Sequence, residues 1–171
     1  MRIEFERPVF DILEFEPSII SVAAFFRSIR CVRMLLSYDI DLDLTDAKHQ
    51  RLEVFIPAGG CLDILKDVES ADKNNSIALK DIPVVIAAEF GSVDITHYLN
   101  MKGVDINKHK EYTNHPAMSA CQNGHMDIVD FYLENVTYSD LVNRFTGNTL
   151  LHYACLGGHT DVALLILEGG I

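Results

Sequence analysis

Apolar positions along this chain come in paired short bursts. In the stretch "NTLLHYACLGGHTDVALLILEGGI", residues 148–171, a small-residue burst is broken by glycine and followed by Val162, Leu165, Ile166 and Leu167 at the spacing of a buried helical stripe. The pattern predicts two short helices and a turn. It recurs in segments that begin at Ser18, Arg51, Ile82, His115 and Thr149, with spacings of 33, 31, 33 and 34 residues. A fixed period of this length marks a repeat architecture, in which one helix pair is too small to hide its own apolar face and must stack on the next.

The aligned columns have separate physical readings. Ala23, Ala87, Ala120 and Ala154 share one position, followed by Ala24, Ala88, Cys121 and Cys155, so small side chains fall where neighbouring helices must approach. Gly60, Gly91, Gly124 and Gly158 follow the first helix, where the chain has to turn at positive φ. Asp63, Asp94, Asp127 and Asp161 open the second helix, where a carboxylate favours the helix N-terminus.

In register, these residues resemble the ankyrin repeat family, whose signature runs T-P-L-H-x-A-A, two residues, G-H, an apolar second helix and a terminal Gly. Thr149, Leu151, His152, Ala154, Gly158, His159, Val162, Leu165 to Leu167 and Gly170 match it, with Leu150 in place of the usual Pro; Pro83 and Pro116 keep that Pro. The resemblance implies an all-α fold, a solenoid of stacked antiparallel helix pairs with short hairpin-like turns. It also implies a non-catalytic protein-interaction scaffold that binds its partner on the concave face, and a structural role for His152 in bonding across the inter-repeat turns. The repeats are expected at about 18–50, 51–81, 82–114, 115–148 and 149–171, strong from 82 onward and degenerate before. Residues 1–17, with "RPVFDILEFEPS", read as a short capping helix.

Two departures carry structural expectations. Arg27 stands in the glycine column of the first repeat, so either its backbone is strained or that turn differs. Pro57 falls inside the first helix of the second repeat and should distort or shorten it.

Composition narrows the partner. Fourteen basic against twenty-five acidic residues give a net charge of -11, which disfavours nucleic acid and favours a protein with a neutral or basic surface. The longest apolar runs are far shorter than a membrane span of about 20 residues, and the acidic start "MRIEFE" is unlike a signal peptide. Cys31, Cys61, Cys121 and Cys155 are dispersed among apolar neighbours, as reduced core thiols are, which points to a cytoplasmic or nuclear compartment.

Apparent chemistry dissolves under inspection. Asp39, Asp41 and Asp43 alternate like calcium ligands, but the loop lacks the required Gly at Leu44 and the Glu at Gln50. Cys121 with His125 and Cys155 with His159 each straddle a turn glycine, so helical spacing gives no shared zinc-binding face. No nucleophile elbow, phosphate loop or zinc-protease motif is present in the sequence, and no catalytic residue, metal or cofactor is expected.

Candidate partner-binding residues therefore come from the repeat geometry. Positions just before the glycine column should line the concave face: Phe25 and Phe26, Ala58 and Gly59, Glu89 and Phe90, Gln122 and Asn123, Leu156 and Gly157. Phe90 is the preferred anchor, since exposed aromatics are frequent interface hot spots; Phe25 and Phe26 could equally be buried under the capping helix. Tyr112 and Phe145, with Lys108, Lys110, Glu111 and Arg144, would sit at turn tips. "LNMKGVDIN" is similar to the asparagine-hydroxylation site of some ankyrin loops, with Asn107 as the acceptor, although the same residues build an ordinary turn. Leu164, Leu165 and Ile166 would leave the last repeat with an apolar outer face. That face suggests a longer array, in which this chain is the regulatory or targeting segment of a larger enzyme or effector, or self-association through the last repeat.

Overall fold

Short helices form here because each has both a stop and an apolar face. In a computed structural model that describes residues 16–38, 40–72, 83–107, 114–136 and 141–169, the helices are α1 (Ile19–Phe25), α2 (Ile29–Ser37), α3 (Leu52–Gly59), α4 (Leu62–Ala71), α5 (Val84–Glu89), α6 (Val93–Met101), α7 (Pro116–Asn123), α8 (Met126–Asn135), α9 (Leu150–Gly157) and α10 (Thr160–Glu168). Among the described residues the only β pairing is an isolated bridge between Val142 and Thr149. The fold is all-α, as the repeat pattern implies. Of the capping helix expected within 1–17, only residues 16 and 17 are described, and they are not helical.

The chain divides into two units, Met1–Ile82 and Pro83–Ile171. In the first, α1 packs on α3 and α2 on α4; in the second, α5 packs on α7 and α7 on α9, while α6, α8 and α10 form the outer layer. The small-residue columns lie where the first helices meet: Ala24, Ala87, Ala88, Ala120, Cys121 and Ala154 are buried. Larger side chains fill the space between the layers, among them Phe55, Ile64, Ile95, Leu99, Ile128 and Tyr132. The first turns of α4, α6, α8 and α10 carry Asp63, Asp94, Asp127 and Asp161.

The glycine column adopts φ of +70° at Gly60, +71° at Gly91, +78° at Gly124 and +76° at Gly158, and Arg27 takes the same left-handed turn at +55°. The turn does not differ; the arginine accepts the strained region. Its compensation is visible, since Arg27 Nε donates to the carbonyl of Gly59 in the next repeat.

Pro57 corrects an expectation. α3 keeps eight residues, the same as α7 and α9, and the six-residue α5 is shorter. In so short a helix the missing amide costs only the bond to Glu53 in the first turn. Beyond it the ladder resumes, with Gly60 N–H donating to Ile56 O at 3.0 Å.

Gly59 shows how close the helices come. A Cβ built there would lie 2.3 Å from the Ala24 carbonyl oxygen and 3.0 Å from Phe25 Cα, both backbone atoms that cannot swing aside. Gly59→Ala should therefore destabilise the first unit by about 1–3 kcal/mol, the usual cost of overpacking, read as a lower urea midpoint; an unchanged midpoint would contradict so tight a contact.

Candidate partner-binding surface

Three polar devices fix the turns between helix pairs in the second unit. His125, at the start of α8, reaches back so that Nε2–H donates to the Glu89 carbonyl at 2.8 Å. Its ring fills the space beside Gly91, where a Cβ would meet Nδ1 at 2.7 Å. His159 stands in the same relation to Gly124, at 2.5 Å. The glycine therefore serves twice, once for its backbone angle and once to admit the next repeat's imidazole.

Next, His115 is buried at the head of α7. Its Nδ1 accepts from Ala117 N–H at 3.1 Å, so Nε2 carries the proton and donates to Asn107 Oδ1 at 3.0 Å. The ring stands edge-on to Tyr132, whose hydroxyl donates to the Ile106 carbonyl at 2.9 Å. His115 therefore does the bridging expected of His152. That residue is exposed and, among the described residues, bonds within its own turn, where Nδ1 meets Thr149 N at 3.2 Å and Thr149 Oγ1 at 2.9 Å. Asp105 Oδ1 accepts from Asn107 N–H at 3.0 Å, so the segment that resembles a hydroxylation site also has the bonds of an ordinary turn.

The third device holds the tip before α9. Asn143 Oδ1 accepts from Phe145 N–H at 3.0 Å and Thr146 N–H at 3.1 Å. Its Nδ2 donates to Tyr153 Oη at 3.0 Å, and the tyrosine hydroxyl donates to Asn114 Oδ1 at 2.9 Å. Phe145 rides on this tip at 67% exposure.

Of the candidate residues, Phe26 is 51% exposed and stacks edge-on with half-buried Phe25 at 5.3 Å. Glu89, Phe90 and Asn123 are half-buried and Gln122 is exposed, while Tyr112, Lys108, Lys110 and Glu111 lie outside the described residues. Ala58 and Gly59 prove buried, because this end of α3 is pressed against α1, and a Cβ at Gly157 would lie 2.1 Å from the Gln122 carbonyl. Those positions serve stacking. Leu156, beside them, is 70% exposed.

The cysteines are free thiols, but only Cys121 is buried in the core; Cys31 and Cys155 are exposed and Cys61 is half-buried. Cys155 is exposed although its column is the same as that of Cys121, which lies where α9 packs on α7. Among the described residues no three His, Cys, Asp or Glu side chains gather to hold a metal, and Asp43 pairs with Arg51. No described helix is long and apolar enough to cross a membrane. His115 stands where the repeat signature has Thr, so the signature does not announce a histidine at that place. The Asn143 turn could have been read from "NRFTGN", in which Asn and Gly flank a tip.

Comparisons agree with this geometry. A family model described as "Ankyrin repeats (3 copies)" matches residues 84–171. The probable E3 ubiquitin-protein ligase XBOS32 of Oryza sativa subsp. japonica is 33% identical over 91 residues, which is 52% of this chain and 18% of that protein. The E3 ubiquitin-protein ligase XBAT33 of Arabidopsis thaliana is 33% identical over 88 residues, 50% of this chain and 17% of the relative. The chain thus spans less than a fifth of the length of these relatives. Among solved structures, the ankyrin repeat domain of human ASB11 superposes with a TM-score of 0.71 at 19% identity, covering 88% of this chain and 68% of that one.

Burial raises the Cys121 thiol from its ordinary 9.0 to about 12. It also raises the Tyr132 hydroxyl, with a smaller contribution from Asp105. The folded chain holds these protons to higher pH than the unfolded chain does, so their contribution is intact below about pH 9 and is lost as pH rises toward 12. The urea midpoint of the second unit should fall over that range, and Cys121→Ala should flatten part of the fall.

Proposed function

Because the chain belongs to the ankyrin repeat family, we propose that it is a non-catalytic scaffold that binds a protein partner along the first helices and turn tips of its repeats. The observation that carries this reading is a set of large exposed side chains on ordered backbone: Phe145 on its Asn143-braced tip, with Leu156 and Gln122 on the ends of α9 and α7. Phe90, Glu89 and Asn123 continue the surface in the second unit, and Phe25 and Phe26 supply its counterpart in the first. Tyr112 belongs to the same proposal by its position in the repeat. The net charge of -11 selects a partner with a neutral or basic contact surface and excludes nucleic acid as the default ligand. A cytoplasmic or nuclear setting fits the free thiols. Self-association through the apolar last repeat is a second mode of contact within this proposal.

A further reading is favoured by the relatives. Two proteins whose names describe E3 ubiquitin ligases share about a third of their matched residues with this chain, yet it spans less than a fifth of either. In that reading the array is the recruiting arm of a larger enzyme or effector, and catalysis lies in another part of it. Immunoprecipitated native protein tested for ubiquitin transfer separates the two: transfer activity, together with a mass well above 19.2 kDa, favours the arm.

Partners captured from the native host by the wild-type chain should be lost or weakened by Phe145→Ala, Phe90→Ala and Glu89→Lys. A true aromatic hot spot costs about 2 kcal/mol or more, roughly thirty-fold in Kd. If all three variants retain every wild-type partner at full affinity, the surface is wrongly assigned.

A further inference from the structure

The first repeat departs in charge from columns that the other four share. The residue in the first turn of the second helix is Asp63, Asp94, Asp127 and Asp161 in the later repeats and Arg30 in the first. The turn residue is Gly60, Gly91, Gly124 and Gly158 in those repeats and Arg27 in the first. Residues 17–38 hold three arginines and no acidic side chain, in a chain of twenty-five acidic residues. Arg33 is matched by Asp67 at 2.7 Å. Among the described residues neither Arg27 nor Arg30 has a carboxylate partner, and the bond from Arg27 Nε to the Gly59 carbonyl leaves two Nη groups for another acceptor.

Both arginines stand where local structure resists them. Arg27 holds the left-handed region at +55°, which is unfavourable for a residue with a Cβ, and Arg30 puts a cation in the first turn of α2, against the helix dipole. The bond to Gly59 offsets part of the first cost, and nothing among the described residues offsets the second. A broken local rule without a compensating contact points to a ligand. The exposure of Arg30 belongs to its column, since Asp63, Asp94 and Asp127 are exposed in the second, third and fourth repeats as well. Arg27 and Arg30 line one groove with Ser28 and Ile29, and Phe26, next to them in sequence, is exposed.

We propose that this groove takes a short acidic segment of a protein partner, with carboxylates on the guanidinium groups of Arg27 and Arg30 and an apolar side chain against Phe26. This rests on the scaffold reading above and names the chemistry of its first-unit surface. A guanidinium presents paired N–H donors that match a carboxylate. A long polyanion such as nucleic acid, or an anionic membrane, is repelled by a chain at -11, whereas a few residues of peptide need only the basic patch. The net charge is an average, and the first repeat is its local exception.

Fluorescence anisotropy of the full 171-residue chain with the peptide Glu-Glu-Leu-Glu-Glu on a neutral dye tests the groove. The peptide should bind, its glutamine counterpart should not, and added salt should weaken the complex by screening exposed charges. Arg30→Asp, which restores the residue of the column, should weaken binding at least about tenfold, the equivalent of roughly 1.4 kcal/mol, while raising the urea midpoint of the first unit. A purely structural role for Arg30 would lower that midpoint instead. Arg27→Gly restores the other column and should also weaken binding, and circular dichroism checks that both variants stay folded. Equal binding of the glutamine peptide, a complex indifferent to salt or to both variants, or a stronger hold on a short DNA duplex or on phosphatidylserine vesicles would each overturn the proposal. Phe145→Ala and Phe90→Ala, which probe the second unit, should leave the peptide bound, so the two proposals can fail separately.

Discussion

Everything in this chain depends on how closely one first helix can lie against the next. A Cβ at Gly59 or Gly157 would collide with a backbone carbonyl of the preceding repeat at 2.3 or 2.1 Å, so at these points the first helices touch backbone to backbone. Alanine columns, glycine turns and the imidazoles set beside Gly91 and Gly124 are consequences of that distance. In a repeat array stability accumulates pair by pair rather than through a single core.

The degenerate first repeat shows what the distance does and does not demand. Arg27 enters the left-handed region that glycine fills elsewhere, and its guanidinium binds the Gly59 carbonyl of the following repeat. In the second unit the tie runs the other way, from His125 back to Glu89. The position equivalent to His125 in the second repeat is Cys61, which has no imidazole to offer. The forward arginine and the backward histidine are two solutions to one requirement, a side-chain donor spanning adjacent turns.

Much of the fold was legible in the sequence because stacking repeats the same constraint every 31 to 34 residues. The helix pairs and the turn glycines all follow from columns, as do the first-turn aspartates. What the columns could not carry was context. Pro57 looks like a helix breaker until α3 is seen to be so short that only one bond is lost. Cys121 and Cys155 share a column and differ completely in exposure, because Cys121 lies where α9 packs on α7. His152 fits the family signature, yet it caps its own turn while His115, which stands in the signature's Thr position, does the bridging. The candidate surface was only partly legible for the same reason, since Ala58, Gly59 and Gly157 occupy positions that stacking had already claimed.

The Asn143 brace has a consequence for time rather than place. A loop aromatic that samples many positions must be captured in one of them, and the ordering cost is deducted from the strength of the complex. Phe145 sits on a backbone already held by two hydrogen bonds from a side chain that is itself tied to Tyr153 and Asn114. A partner that meets this ring meets it prearranged. The gain from such rigidity appears mainly as a longer residence time rather than a faster encounter.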